Sequence, residues 1–233
     1  MRITVPHYFD FGEERSLVGD DLARPEAWDA IRTESNGAFA LPEDRGDWEA
    51  LVDRHRDYAE RAEAIDAVVE ARGGGTLASY GVGVATLELW LHRLRPQRRL
   101  AIGEYAPATT ARLRQLFPEA DVHQHDLNLD PPLAADWHVF HRIDTEFTNR
   151  QWRRILERFR AESIVFVAGD VTDWRGALAE LRRGLGNRNA TRAGYVRNRG
   201  ALEALWRRTH RAEPLPLDEL EGWTLVPRDS WAG

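Results

Sequence analysis

The segment TLASYGVGVATLELWL carries Gly81 and Gly83 between a short apolar run and the start of a helical pattern. Glycine there lets the backbone turn sharply and approach a ligand, and the free N–H groups of a helix start favour polar or anionic ligand atoms. By itself GxG fits a bare strand-to-helix turn as well as a ligand site. Two acids in matching places shift the balance. Glu104 ends the next apolar run, about 20 residues past the turn, where a carboxylate can accept both hydroxyl hydrogens of a ribose. Asp126 ends the run after that and can receive an adenine amino hydrogen. Three successive strand ends thus carry the groups an adenosine ligand needs.

A second group of reactive side chains falls in FHRIDTEFTNRQWRRIL, where His141, Asp144 and Glu146 stand at or just past a fourth strand end. Open parallel sheets bind ligands at that rim. Strand alternation puts His138, Phe140, Arg142 and Asp144 on one face and Val139, His141 and Ile143 on the other, so His141 and Asp144 are expected to face different ways. Asp144, at the strand terminus, is the favoured catalytic carboxylate. Both carboxylates also read as charge ahead of the NRQW helix, with Thr148 as its N-cap. His123 and His125 form an HxH pair without a third ligand, so no metal site is assigned.

These residues need a frame that sets strand ends side by side. From residue 76 apolar runs and helical patterns alternate. Strands are predicted at 76–80, 99–105, 120–126, 136–144 and 163–169, and helices at 84–94, 108–117, 149–159 and 175–185. That order implies βαβ crossovers and a largely parallel sheet covered on both faces. A last helix (199–208) precedes RAEPLPL and GWTLVPR, which are joined by the turn-like DELEG and suit an antiparallel pair. Ahead of the alternation, Asp47 to Arg72 repeats apolar residues at three- and four-residue steps, the pattern of one long helix ended by Gly73, Gly74 and Gly75. Residues 1–46 have no sustained period and are broken by Pro6, Pro25, Gly37, Pro42 and Gly46. They are expected to form a cap or lid on the ligand-binding domain at 47–233. Their His7, Tyr8, Phe9, Phe11, Trp28 and Phe39 are suited to an apolar acceptor pocket or to plain packing.

Composition narrows the chemistry further. The 233 residues, 42% hydrophobic and 30% charged, fit a soluble globular chain able to bury a sizeable core. Without cysteine, disulfide scaffolds, thiolate metal sites and cysteine nucleophiles are excluded, and a cytoplasmic location is the default expectation. All 32 basic residues are arginine, which excludes an internal lysine Schiff base. Neither a signal peptide nor a membrane-spanning run is read, so no membrane partner is expected. The net charge of −6 argues against bulk nucleic-acid affinity, although residues 182–211 hold nine arginines against the single acid Glu203.

Four stretches together resemble the class I S-adenosylmethionine-dependent methyltransferases over roughly residues 60–228: ASYGVGVATLELWL, LAIGEYAPATTARLRQLFPEADVHQHDL, DWHVFHRID and the terminal helix with PLPLDELEGWTLVPR. The resemblance implies a Rossmann-like seven-stranded methyltransferase sheet, mostly parallel with an antiparallel last strand and helices on both faces. It implies S-adenosyl-L-methionine as cofactor, with Gly81 and Gly83 cradling the methionine moiety, Glu104 on the ribose and Asp126 on the adenine. Tyr105, Pro107 and Leu127 are expected against adenine, while Ser79, Tyr80 and His141 complete the binding set. Dinucleotide oxidoreductases match less well, since the third glycine of GxGxxG is Thr86 here.

The chain departs from the family pattern at Ser79, where an acid is usual, and at Ala85, where a third glycine is usual. FHRIDTEFTNRQW also resembles a segment of small-molecule O-methyltransferases whose histidine is the general base. Aligned on Glu146 and Phe147, that position is Thr145, which cannot serve as a base near neutral pH. Asp144, Glu146 and His141 are therefore the catalytic candidates. The function implied is methylation of an oxygen or nitrogen of a small molecule, and the reading allows a homodimer. One alternative is RNA methylation, motivated by Arg182, Arg183, Arg188, Arg192, Arg197 and Arg199 but without an NPPY-like base-handling motif. Another is a non-catalytic adenosine-binding protein of the same fold.

Overall fold

In a computed structural model, which describes residues 1–12, 15–18, 22, 24–35, 39–186 and 190–228, the alternation from residue 76 builds one seven-stranded sheet. Its parallel strands are β2 (Leu77–Tyr80), β3 (Leu100–Glu104), β4 (Asp121–Gln124), β5 (Trp137–His141) and β6 (Ser163–Val167). The connecting helices are α5 (Thr86–Leu94), α6 (Pro107–Leu116) and α7 (Asn149–Arg158). β8 (His210–Leu215) and β9 (Gly222–Pro227) follow α9 (Arg199–Trp206), and β9 inserts antiparallel between β6 and β8. The strand order is β4-β3-β2-β5-β6-β9-β8. Tyr80 is level with Gly103 on one side and Phe140 on the other, and Glu104 is level with Gln124, so the strands end along a common rim.

Strand alternation divides the core into two layers. Leu77, Ile102, Val139 and Val165 pack under α5 and under α4 (Arg56–Glu70), while Ala78, Tyr80, Phe140 and Phe166 pack on the other face against α7 and α9. The reversal of strand order beside β2, where β3 lies on one side and β5 on the other, opens a crevice at the rim.

Two features differ from the sequence expectation. The long helix at 47–72 is two helices, α3 (Arg45–Arg54) and α4, broken at His55 with φ −98° and ψ 69°. The two halves pack on different neighbours. Trp48 of α3 touches the Phe117 ring and donates its indole N–H to the Val84 carbonyl at 2.7 Å, whereas α4 lies along α5. Packing therefore overrides a continuous helical pattern.

The second difference is a two-stranded antiparallel sheet of β1 (Thr4–Asp10) and β7 (Ala190–Arg197). It is preceded along the chain by α8 (Trp174–Gly186), which packs against β1. β1 leads into α1 (Arg15–Val18) and α2 (Pro25–Thr33), and these N-terminal elements cover the crevice. Gly37 and Arg188 lie outside the described residues. Among the described residues no helix is long and apolar enough to cross a membrane.

Candidate active site

The glycine turn follows directly from β2. Gly81, Gly83 and Ala85 all have positive φ, at 62°, 59° and 55°. A Cβ at Gly81 would stand 2.7 Å from Ile143 Cγ2, and one at Gly83 would stand 2.6 Å from Arg32 Nη2. Ala85 bears the left-handed strain that glycine avoids, about 1 kcal/mol or more.

Two adjoining cavities lie over this turn and share Trp28, Gly81, Ile143 and Glu146. The smaller, of about 190 Å³, is walled by Tyr105, His125, Asp126, Leu127 and Phe147. The larger, of about 540 Å³, runs from Gly83 and Glu88 past Arg32 to His141, Tyr58 and Phe9. Gly81, Gly83, Tyr105, Asp126, Leu127, His141 and Glu146 are thus brought together by the fold around one crevice.

Other expected residues stand elsewhere. Pro107 is exposed at the first turn of α6 and borders neither cavity. Tyr80 touches the larger cavity, but its ring does not shield a ligand: it is buried among Phe140, Phe159 and His138. Its hydroxyl is taken by His138 Nδ1 at 3.0 Å and by the Leu133 N–H at 3.0 Å. Alternation sends this side chain under the sheet. Ser79, on the opposite face, borders neither cavity and donates its hydroxyl to Glu88 Oε1 at 2.6 Å.

Glu104 is buried within the turn itself. Its Oε1 accepts the Tyr105 and Ala106 N–H groups at 2.9 and 3.1 Å, and its Oε2 accepts the Gly83 N–H at 3.1 Å. Three of about four acceptor positions are therefore occupied, and Glu104 borders neither cavity, so the arrangement leaves capacity for one further hydrogen bond rather than for both ribose hydroxyls. Burial still pushes its pKa up, against the pull of those N–H groups and of Arg32.

At the fourth strand end the strand stops at His141, three residues before its expected end. Arg142 has φ 59°, so the chain swings and reassigns the residues after it. Asp144 turns inward, fully buried and away from both cavities. Its Oδ1 accepts the Gly169 N–H at 2.5 Å, its Oδ2 has no partner, and burial raises its pKa to about 6. Glu146 borders both cavities instead. Glu146 is itself exposed, and the protein around it and the nearby Glu104 raise its pKa to about 8 against the opposing Arg32. His141 faces the larger cavity with its Nε2 unpartnered, and burial lowers its pKa to about 3.

The loop that carries Glu146 is tied to β7. Fully buried Arg197 donates from Nε to Asn149 Oδ1 at 2.7 Å, from Nη1 to the Asp144 carbonyl at 2.5 Å and from Nη2 to the Phe147 carbonyl. The Tyr195 N–H binds the Thr145 carbonyl at 2.7 Å, and any side chain at Gly194 would collide with that same oxygen. Sequence reasoning offered Arg197 as a phosphate contact; it is a structural hub. Arg183 and Arg199 are also engaged within the chain, by Glu180 and Glu203.

Three residues that line the cavities escaped the sequence reading, and a fourth, His125, was read only as half of an HxH pair. Arg32 and Glu88 line the larger cavity, and His125 and Phe147 the smaller, where His125 Nε2 has no partner. Glu88 alone left a visible signal, an acid between Leu87 and Leu89 on a helix that is otherwise apolar.

No family model matches the sequence, and no curated protein matches it. Solved structures do. The fold is similar to the mitomycin 7-O-methyltransferase MmcR, at TM-score 0.60 and 16% identity over 95% of this chain and 79% of that one. It is also similar to PigF with SAH, at TM-score 0.61 and 16% identity over 94% of this chain and 66% of the other. For human N-acetylserotonin methyltransferase in complex with SAM the TM-score is 0.57 and the identity 16%, over 79% of this chain and only 56% of the human one. With its strand order, its one antiparallel insertion and these likenesses, the chain has the class I methyltransferase fold.

Proposed function

We propose that the protein transfers a methyl group from S-adenosylmethionine to an oxygen or nitrogen of a small-molecule acceptor. The observation that carries this reading is the pair of adjoining cavities, one bordered by Tyr105, Asp126 and Leu127, the other by the glycine turn, Glu146 and aromatic side chains. The residues present suit the cofactor. Gly81 and Gly83 leave a cradle that any Cβ would obstruct, and the orphaned His125 Nε2 offers a polar contact in the smaller cavity. Kinship of fold with proteins named for methylating mitomycin and N-acetylserotonin supports a small-molecule acceptor.

In this reading Asp126, Tyr105, Leu127 and His125 receive adenine. Glu104 fixes the turn and takes a ribose hydroxyl with the acceptor capacity its three N–H bonds leave. Bound S-adenosylmethionine supplies an electrophilic methyl on a sulfonium sulfur. Glu146, rather than the sealed Asp144, accepts the acceptor's proton, and its raised pKa lies close to the operating range of a general base. Neutral His141 and Tyr58, whose rings meet edge to face at 5.3 Å, shape the acceptor end. The β1–β7 ribbon and α2 cover the crevice and limit water.

The test is incubation of the purified protein with methyl-labelled S-adenosylmethionine and, separately, a metabolite extract or total RNA. Label is expected in a small molecule and only with active protein. Label in RNA alone, or in neither fraction, would overturn the proposal.

A further inference from the structure

Two charged side chains beside the glycine turn remain unused above. Glu88, in the first turn of α5, is 2% exposed, and its exposed edge borders the larger cavity with Gly83 and Thr86. Among the described residues no arginine or histidine lies within ion-pair distance of it, and its one side-chain partner is the Ser79 hydroxyl. A carboxylate enclosed without a cation is costly, and burial accordingly raises its pKa to about 7. A cation entering the cavity beside Glu88 would relieve that cost, and the chain supplies none among the described residues.

Arg32 comes to the same cavity from α2. Its Nη1 donates to the Phe39 carbonyl at 2.8 Å, the Trp28 and Phe39 rings lie 5.4 and 5.7 Å from its guanidinium, and its Nη2 is the atom a Gly83 side chain would strike. These contacts hold the planar group in place where it lines the cavity, and a guanidinium so placed is suited to a carboxylate.

We infer that Glu88 and Arg32 are a two-point clamp for a zwitterionic α-amino-acid group, Glu88 receiving the ammonium and Arg32 the carboxylate. The inference rests on the S-adenosyl reading of the site and adds its specificity. It also accounts for Ser79 in place of an acid: the negative charge sits nine residues later, on the helix, and Ser79 holds it by a hydrogen bond.

The test is calorimetry on the full chain with three ligands. S-adenosylhomocysteine has the whole amino-acid group, decarboxylated S-adenosylmethionine has only the amine, and 5′-methylthioadenosine has neither. Glu88→Gln is expected to weaken the first two at least 10-fold and to leave methylthioadenosine within twofold. Arg32→Gln is expected to weaken S-adenosylhomocysteine at least 10-fold and to leave the other two within twofold. Should either variant fail to fold, Ser79→Ala and Arg32→Lys ask the same question, with several-fold losses confined to the same ligands. Equal losses for methylthioadenosine would make these residues supports of the turn and overturn the clamp, as would unchanged affinity throughout. A wild-type protein that binds none of the three removes the S-adenosyl reading itself, a result distinct from failure of the clamp alone.

Discussion

Replacing Gly83 by Val is expected to lower S-adenosylmethionine affinity at least 100-fold while leaving a folded protein. The backbone φ of 59° costs a branched residue about 1–2 kcal/mol, a tolerable loss for a domain of this size. The obstruction a new Cβ meets is the guanidinium of Arg32, so the valine both displaces a group that lines the cavity and fills space beside it. Gly81 differs. Its Cβ would press on the buried, branched Ile143, so Gly81→Val is expected to lower stability and binding together. Thermal melting alongside calorimetry separates the two. Normal binding by a folded Gly83→Val protein would make the turn purely structural.

Glu146→Gln is expected to reduce turnover about 100-fold with cofactor affinity retained, the range for loss of acid–base assistance. Asp144→Asn should cost less than about threefold in turnover, since its carboxylate borders neither cavity and its bond from the Gly169 N–H can pass to the amide oxygen. Steady-state kinetics on both variants decides between them. A base must be unprotonated, so wild-type activity should climb with pH as Glu146 ionises and level off above its pKa. The surrounding protein, Glu104 and Asp144 hold that pKa up, while Arg32 opposes them. The rising limb should vanish in Glu146→Gln. Near-wild-type rates in that variant would leave catalysis to placement alone.

The sheet was legible because its strands are short apolar runs closed by glycine or acids, and each predicted strand from residue 76 to 169 appears, trimmed by at most three residues at an end. The β1–β7 ribbon was not legible. Pro6 interrupts one strand, and ATRAGYVR lacks the apolar alternation of a core strand, since its pairing partner rather than a core specifies it. For the site, the strand-end rule placed Gly81, Gly83 and Asp126 at the crevice. It ranked Asp144 above Glu146 because alternation was carried through Arg142, where a left-handed residue ends it. Nothing in a single sequence marks an arginine for that conformation. The charge missing at Ser79 was equally hidden, because Glu88 reaches it only once α5 is folded back along β2.

The central claim is most directly tested by isothermal calorimetry of the unmodified protein with S-adenosylmethionine and, separately, S-adenosylhomocysteine at neutral pH. The cavities at the glycine turn predict saturable binding of both at one site per chain, with dissociation constants at or below about 100 μM, equivalent to roughly 5.5 kcal/mol. No heat of binding for either ligand at millimolar concentration would contradict the account.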